Sequence, residues 1–408
     1  MTVLVLCVFV AVYLGMALGR WPGLKIDRSG IAVLGAIVLY ASGAVGGAAV
    51  LQAIDFPTLI VLFGLMILSA QFAASGFYDW CSARIASSPL SPVAILGLTI
   101  AVAGALSAVL ANDIVVFAMT PMLISGLGRR GLDPRPYLIA LACAANAGSA
   151  ATLIGNPQNI LIGQVGQLDF WEFSFYCAPP ALFGLLTVFA VIRLVWRRAL
   201  LARPGEGGAV DLPPVDRAGI GKAAAATVAL LTLFATPLPQ VSGVLMVAAI
   251  LLISRRRATQ DIFRLVDWPL LLLFGGLFIV TASLAHTGLS AATRDAFSGA
   301  GIPLQGLPAI AALTFAGSNT IGNVPTVMLL LALLQDLPPQ SMYALAALST
   351  LAGNLLVVGS IANIIVVERA RQAGVALGFA EHASCGIPVT LISFAAALAW
   401  FSAMGVAL

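Results

Sequence analysis

The sequence predicts an all-α polytopic membrane protein built from two inverted repeats, each with five transmembrane helices plus a re-entrant hairpin, and with broken helices at the bilayer midplane. Three observations lead there. Hydrophobic residues fill 61% of the 408 positions and charged residues only 9%, at a mean hydropathy of +1.05; in soluble domains about a quarter of residues are charged. Polar runs interrupt the apolar stretches at a few fixed places. The second half of the chain also repeats features of the first at a nearly constant distance.

Taken in order, the elements follow from length. A hydrocarbon core of about 30 Å needs about 20 helical residues to cross. Full spans are expected at 2–19, 29–50, 57–77, 138–165 and 174–198 in the first half, and at 219–235, 238–254, 269–289, 342–367 and 386–407 in the second. The first is apolar without a basic stretch ahead of it, and Arg20, Lys25 and Arg28 follow it, as expected of a membrane helix and not of a cleaved signal peptide. Two further stretches differ. In 307–334 the polar run Ser318 to Asn323 is flanked by arms of 11 residues, each reaching roughly 17 Å, about half the membrane. This predicts a re-entrant hairpin. The stretch 93–127 has its own polar tip, Asn112-Asp113, on longer arms, so it is either a matching hairpin or a pair of tilted spans.

Charge placement fixes the topology. With ten spans and two hairpins, 19 of the 20 Lys and Arg residues fall on one face and only Arg294 on the other. The positive-inside rule then puts both termini on the outer side of a cell inner membrane. The net charge of +4 is therefore topological, and with no basic patch interleaved with aromatics, nucleic acid is not an expected partner.

The repeat is visible residue by residue. Asp55 to Phe77 aligns without a gap on Asp267 to Leu289, with Asp55, Pro57, Gly64 and Gly76 falling on Asp267, Pro269, Gly276 and Gly288 among nine identities in 23 positions. Ser107 and Asn112 fall on Ser318 and Asn323, while Gly155 and Asn159 of IGNPQNI fall on Gly359 and Asn363 of VGSIANI. Five spans per half is an odd number, so the copies lie in opposite orientation. The units are 1–200 and 219–408, joined by a Pro/Gly-rich cytoplasmic tether at 201–218.

Several chemistries are excluded. Five scattered cysteines without CxxC spacing suggest neither disulfides nor zinc, and two histidines make a transition-metal site unpromising. No cofactor is expected beyond a coupling ion, Na⁺ or H⁺. An aspartyl intramembrane protease needs two facing acids, whereas Asp113 is the one carboxylate well inside an apolar segment. A serine enzyme would have only His286 as base, and that residue reads as interfacial. Glu381 and His382 read as loop residues, Asp55 and Asp267 as helix caps, and Trp80, Trp171 and Trp268 as interfacial anchors.

What remains is the chemistry of the breaks. Inverted repeats with interrupted helices mark the midplane sites of secondary transporters, because unwinding frees backbone groups to bind ions. Four interruptions qualify: Ala111-Asn112-Asp113, Gly155 to Asn159, Ser318 to Pro325, and Gly359 to Asn363. Asp113 is costly inside lipid unless it faces water, pairs or binds a cation, which makes it a sodium ligand or proton carrier. The cation candidates are Asn112, Asp113, Gly155, Gln158, Asn159, Ser318, Asn319, Gly359 and Asn363; the substrate candidates are Asn112, Asn146, Asn156, Ser318, Asn319, Thr320, Asn323 and Ser360. No buried Lys or Arg is expected to be available to neutralise an anion, so an anionic substrate would depend on helix-end amides, hydroxyls and a co-bound cation. A passive channel could use the same tips, but paired broken helices favour alternating access.

These residues carry a family resemblance. The Ser318-Asn319-Thr320 tip, LANDIVVFAMTP from Leu110 to Pro121 and NAGSAATLIGNPQNILIG from Asn146 to Gly163 resemble the ion transporter superfamily, in particular its citrate-transporter-like bacterial branch. That superfamily also holds divalent anion:sodium symporters, arsenite permeases and a group of sodium/proton antiporters. The resemblance spans nearly the whole chain. It implies one sodium site from Ser318 to Thr320 with Gly359 to Asn363, another from Asn112 and Asp113 with Gly155 to Asn159, and a small carboxylate or oxyanion between them. It also implies elevator-type movement and a homodimer. The first tip departs from the symporter pattern, with Asn-Asp in place of Ser-Asn-Thr, which opens proton coupling, cation/proton antiport or arsenite-type efflux as alternatives.

Overall fold

Continuous apolar segments leave the backbone no partners except its own, so the chain coils. The computed structural model describes residues 1–19, 21, 23–201, 212–255, 257–285, 287–299, 303–334 and 337–406, and the described residues are helical with no strand. His286 and positions 202–211 of the tether lie outside them.

The first half runs α1 (Thr2–Leu18), α2 (Arg28–Ala41), α3 (Gly47–Ala53), α4 (Phe56–Ala74), α5 (Phe77–Ala86), α6 (Pro92–Val109), α7 (Asn112–Arg129), α8 (Arg135–Ser149), α9 (Pro157–Val165), α10 (Phe170–Val195) and α11 (Arg197–Leu200). The second runs α12 (Arg217–Leu233), α13 (Gln240–Leu252), α14 (Thr259–Phe263), α15 (Trp268–Ala285), α16 (Leu289–Gly299), α17 (Leu307–Thr320), α18 (Asn323–Leu333), α19 (Pro339–Ala352), α20 (Ile361–Gln372) and α21 (Phe379–Ala403). Among the described residues, α4, α6, α10 and α21 are long and apolar enough to cross a membrane by themselves.

Caps set the starts. Asp55 and Asp267 accept from the amides of Thr58 and Leu270 at 2.8 and 3.0 Å, as their position before proline-bearing helix starts predicts. Asp169 caps α10 in the same way. The expected span 29–50 is corrected: α2 stops at Ala41, Gly43 turns the chain at φ +72°, and α3 is a separate short helix. Glu381 and His382 are corrected too. Both lie in the first turn of α21; Glu381 pairs with Arg135, and His382, 1% exposed, approaches Asn354 O at 3.2 Å.

The centre of the bundle is α8 and α19, whose residues from 136 to 149 and from 341 to 352 are all buried. Small residues make that burial achievable. A methyl group on Gly148 would stand 2.3 Å from Gly104 O, so α6 and α8 touch backbone to backbone. The tether is not wholly passive, because Asp216 N donates to Ser75 O at 3.1 Å and its carboxylate meets Arg257 at 3.0 Å.

At the start of α8, Arg135 holds Asp133 at 2.7 Å and Glu381 at 2.6 Å, tying α8 to α21. Burial alone would raise the Asp133 carboxyl, but the hydrogen bonds and charge of Arg135 hold it below its ordinary range. A depressed carboxylate stabilises above its unfolded pKa of about 4 and stops doing so as pH falls through the lower folded value. The pair is partly exposed, so Asp133→Asn should cost no more than about 1 kcal/mol. Thermal midpoints in detergent at pH 7 and pH 3 check this: the wild-type advantage over the variant should shrink at the acid end.

Candidate functional site

The four interruptions exist as backbone features, slightly displaced from their expected positions. α6 gives way at Leu110, which is extended, and α7 begins at Asn112. The chain unwinds between Ser149 and Pro157, where Asn156 Oδ1 accepts from Asn159 N at 2.9 Å and starts α9. In the second half Ser318, Asn319 and Thr320 form the last turn of α17. The reversal falls at Ile321 and Gly322, and Gly322 has φ +95°, a conformation that disfavours a side chain. The second unwound segment runs from Gly353 to Ser360, where Ser360 Oγ caps α20.

Side chains replace the hydrogen bonds that unwinding removes. Asn159 Nδ2 donates to Ser149 O and Thr152 O at 3.2 and 2.9 Å. Asn363 Nδ2 donates to Gly353 O and Leu356 O at 2.8 and 3.1 Å. Donor and both acceptors are each displaced by 204 positions (159 to 363, 149 to 353, 152 to 356). Each tip rests on its own break: Asn112 N donates to Gly155 O at 3.3 Å, and the side-chain amide of Asn323, assigned with Nδ2 toward the break, donates to Gly359 O at 2.9 Å and Ser349 O at 3.1 Å.

The two breaks are also joined to each other. Asn156 Nδ2 donates to Thr350 Oγ1 at 3.2 Å, and Ser360 Oγ donates to Asn146 Oδ1 at 2.9 Å. These bonds are reciprocal, since 350 and 360 lie 204 positions after 146 and 156. Asn146 Nδ2 also reaches Asn354 and Asn363 at 2.9 and 3.1 Å, and Gln158 reaches Thr350 at 3.1 Å. Asn146, Asn156, Asn159, Asn354 and Asn363 are each at most 1% exposed, where an amide without partners is expensive.

Against that background three amide oxygens stand out among the described residues: Asn112 Oδ1, Asn159 Oδ1 and Asn319 Oδ1 are buried and accept nothing. Asn319 anchors its nitrogen on Ala352 O at 3.0 Å, and its oxygen lies 2.8 Å from where a Cβ on Gly359 would be. Oriented oxygens without donors, beside unwound backbone, form an environment suited to a hard cation.

A cavity of about 30 Å³ collects the starts of the half-helices. Asn112 and Asp113 of α7, Pro157 and Gln158 of α9, Asn323 of α18 and Ser360 before α20 all line it. Helix starts present unpaired amides and positive dipole ends, which attract anions. Beside it opens a vestibule of about 540 Å³ whose charged lining includes Asp79, Asp113, Arg264, Asp267 and Arg369. Asp113 is on the wall of both.

Not every expected residue reaches the cavity. Asn146, Asn156, Asn159 and Asn363 lie in the network behind it. Ser318 is buried behind the tip, donating to Ser349 O at 3.2 Å. Thr320 is exposed, and its hydroxyl bonds back to Ala316 O at 2.9 Å. The expectation that no cationic side chain is available is corrected: Arg28 lines the cavity. Thr350 and Asn354 were also missed, although applying the 204-residue offset of the breaks to Asn146 would have pointed to Thr350. Arg28 had no such signal, because a charge just ahead of an apolar stretch reads as a topology marker.

A family model described as Citrate transporter matches residues 9–346. An uncharacterized transporter of Mycobacterium tuberculosis is 27% identical over 96% of both chains. A silicon efflux transporter of Oryza sativa subsp. japonica is 25% identical, over 91% of both. Among solved structures, the YdaH transporter of Alcanivorax borkumensis superposes with a TM-score of 0.59 at 14% identity, covering 98% of this chain and 97% of that one, and so shares its fold.

Proposed function

Because this integral membrane chain belongs to the citrate transporter family, we propose that it is an ion-coupled secondary active transporter of a small anion, a carboxylate or an oxyanion. The single observation that carries this reading is the meeting of α7, α9, α18 and α20 at one cavity, start first, so that the positive ends of four helix dipoles converge on the same small volume. The reciprocal bonds at a 204-residue offset support two inverted repeats, 1–200 and 219–408, with re-entrant hairpins α6–α7 and α17–α18. Elevator-type alternating access, a homodimer, and an inner-membrane position with both termini outside complete the proposal.

Sodium is the preferred coupling ion. The unsatisfied oxygens of Asn112, Asn159 and Asn319 support two cation sites, one at each tip and break, as the family resemblance implies. Asn319→Ala removes one such oxygen without touching the anion cavity. It should raise the sodium concentration for half-maximal transport at least about tenfold, which equals about 1.4 kcal/mol of lost binding. An unchanged sodium dependence would remove the second tip from the cation site.

A second reading has its own observation. Asp113 and Asp267 share the vestibule, so proton-linked exchange, as in an antiporter or an efflux permease, is the alternative; a relative named for silicon efflux points the same way. Purified protein in liposomes, given an imposed sodium or proton gradient and offered citrate, phosphate, arsenite and silicic acid, separates the two. Accumulation of citrate or phosphate driven by sodium supports the first reading, and efflux of neutral oxyacids driven by protons alone overturns it.

A further inference from the structure

Arg28 opens α2, a helix packed on α1 and α15 and separate from both hairpin tips. Its Nε donates to Met16 O at 3.0 Å in the last turn of α1, a carbonyl that also accepts from Gly19 N at 3.3 Å. That bond fixes the direction of the side chain. Beyond it, Nη1 lies 3.9 Å from where a Cβ on Gly322 would be, so the guanidinium reaches the second tip. There it lines the central cavity with Asn112, Gln158, Asn323 and Ser360.

No carboxylate among the described residues comes within ion-pair distance of Arg28. A half-buried guanidinium without a counter-charge is costly, and within a membrane protein such a charge is normally matched by a partner. The groups around it make the choice of partner. Helix starts on the facing wall are themselves electropositive, and the one acid of the lining, Asp113, is matched in this reading by the coupling cation, so the complement left for Arg28 is an anion.

We propose that Arg28 is the anion-recognition residue of the transport site, pairing through its outer nitrogens with carboxylate or oxyanion oxygens while half-helix amides complete the shell. This rests on the reading of the protein as an anion transporter. Arg28 stands on α2 and the helix starts on the tips and breaks, so a bound anion joins elements from different parts of the bundle. A guanidinium offers two parallel donors to a planar carboxylate, which an ammonium does not. Arg28→Lys should therefore weaken citrate more than phosphate.

The test uses the full-length protein, wild type, Arg28→Gln and Arg28→Lys, with citrate and phosphate as anionic probes and silicic acid as a neutral one. Thermal protection and liposome transport are read for each, with sodium-induced thermal protection as the control for an intact fold. The expected result is at least a tenfold loss of affinity for citrate and phosphate in Arg28→Gln, partial recovery in Arg28→Lys, and sodium protection unchanged. Wild-type affinity in a folded Arg28→Gln overturns this role of Arg28 and leaves the anion-transport reading standing. Failure of both anions to protect or cross with the wild type overturns both. Should Arg28→Gln not yield folded protein, Arg28→Lys decides: citrate and phosphate affinities both within twofold of wild type refute the paired contact.

Discussion

Alanine at position 155 is expected to abolish ion-driven transport, a loss of at least about 100-fold or about 2.8 kcal/mol at 1.4 per decade, and to lower the thermal midpoint. The cause is backbone contact on two sides. An added Cβ would stand 2.3 Å from Ser149 O, within the unwound segment, and 2.8 Å from Ser107 O, near the first tip. Neither oxygen can rotate away, and overpacking of this kind costs roughly 1–3 kcal/mol where neighbours are fixed. The first tip would have to lift off its break, breaking the bond from Asn112 N to Gly155 O and displacing the nearby oxygens of Asn112 and Asn159. The symmetric change is a useful contrast. At Gly359 the nearest atoms are Gly353 O and Asn319 Oδ1, both at 2.8 Å, and the latter belongs to a side chain that can turn. Gly359→Ala should fold better than Gly155→Ala and mainly weaken sodium dependence. Transport assays in liposomes beside thermal melts measure both variants, and wild-type transport by Gly155→Ala would mean that tip and break do not rest on each other.

Much of this arrangement was legible in the sequence, for a physical reason. Proline and glycine weaken a helix, and combined with polar neighbours in an apolar run Pro157, Gly155 and Gly359 announced the unwound segments before any contact was known. Pro121, Pro179, Pro180 and Pro388, without such neighbours on both sides, stay inside α7, α10 and α21. Burial is equally visible: polar amides such as Asn146, Asn159 and Asn363 inside apolar runs must find partners, and the same pairing rules operate in both halves. The tips were placed a little off because Ser318, Asn319 and Thr320 can stay helical by bonding back to the preceding turn, as Thr320 does to Ala316 O. The reversal then needed only Gly322. What lay beyond the sequence was anything decided by the direction of a long side chain. Arg28 and Glu381 look like ordinary loop charges, yet one turns into the central cavity and the other across to Arg135. Asp267 was read as a cap and is one, but the same carboxylate also faces the vestibule, because capping uses one oxygen and leaves the other.

Replacing Asp113 with asparagine should remove gradient-driven transport, again by at least about 100-fold, while leaving the protein folded. The substitution conserves shape and the position in the first turn of α7, so it removes charge and little else. Asp113 has the placement such a role needs: its side chain lines both the central cavity and the vestibule, so an ion or proton held there can be gained on one side and released on the other. Among the described residues it forms no ion pair, and Asp267, its carboxylate neighbour in the vestibule, carries charge of the same sign. A carboxylate so placed is stabilised by a cation or a proton, and two acids sharing one opening favour holding one of them between them. Substrate counterflow separates the two roles. If Asp113 carries the proton, Asp113→Asn mimics the loaded state, so exchange of labelled for unlabelled substrate continues while net accumulation stops. If it holds sodium, both fail together, and added sodium no longer protects the protein against heat. Accumulation at the wild-type rate under either gradient would remove Asp113 from the coupling step and leave the cation role to the amide oxygens of Asn112, Asn159 and Asn319 alone.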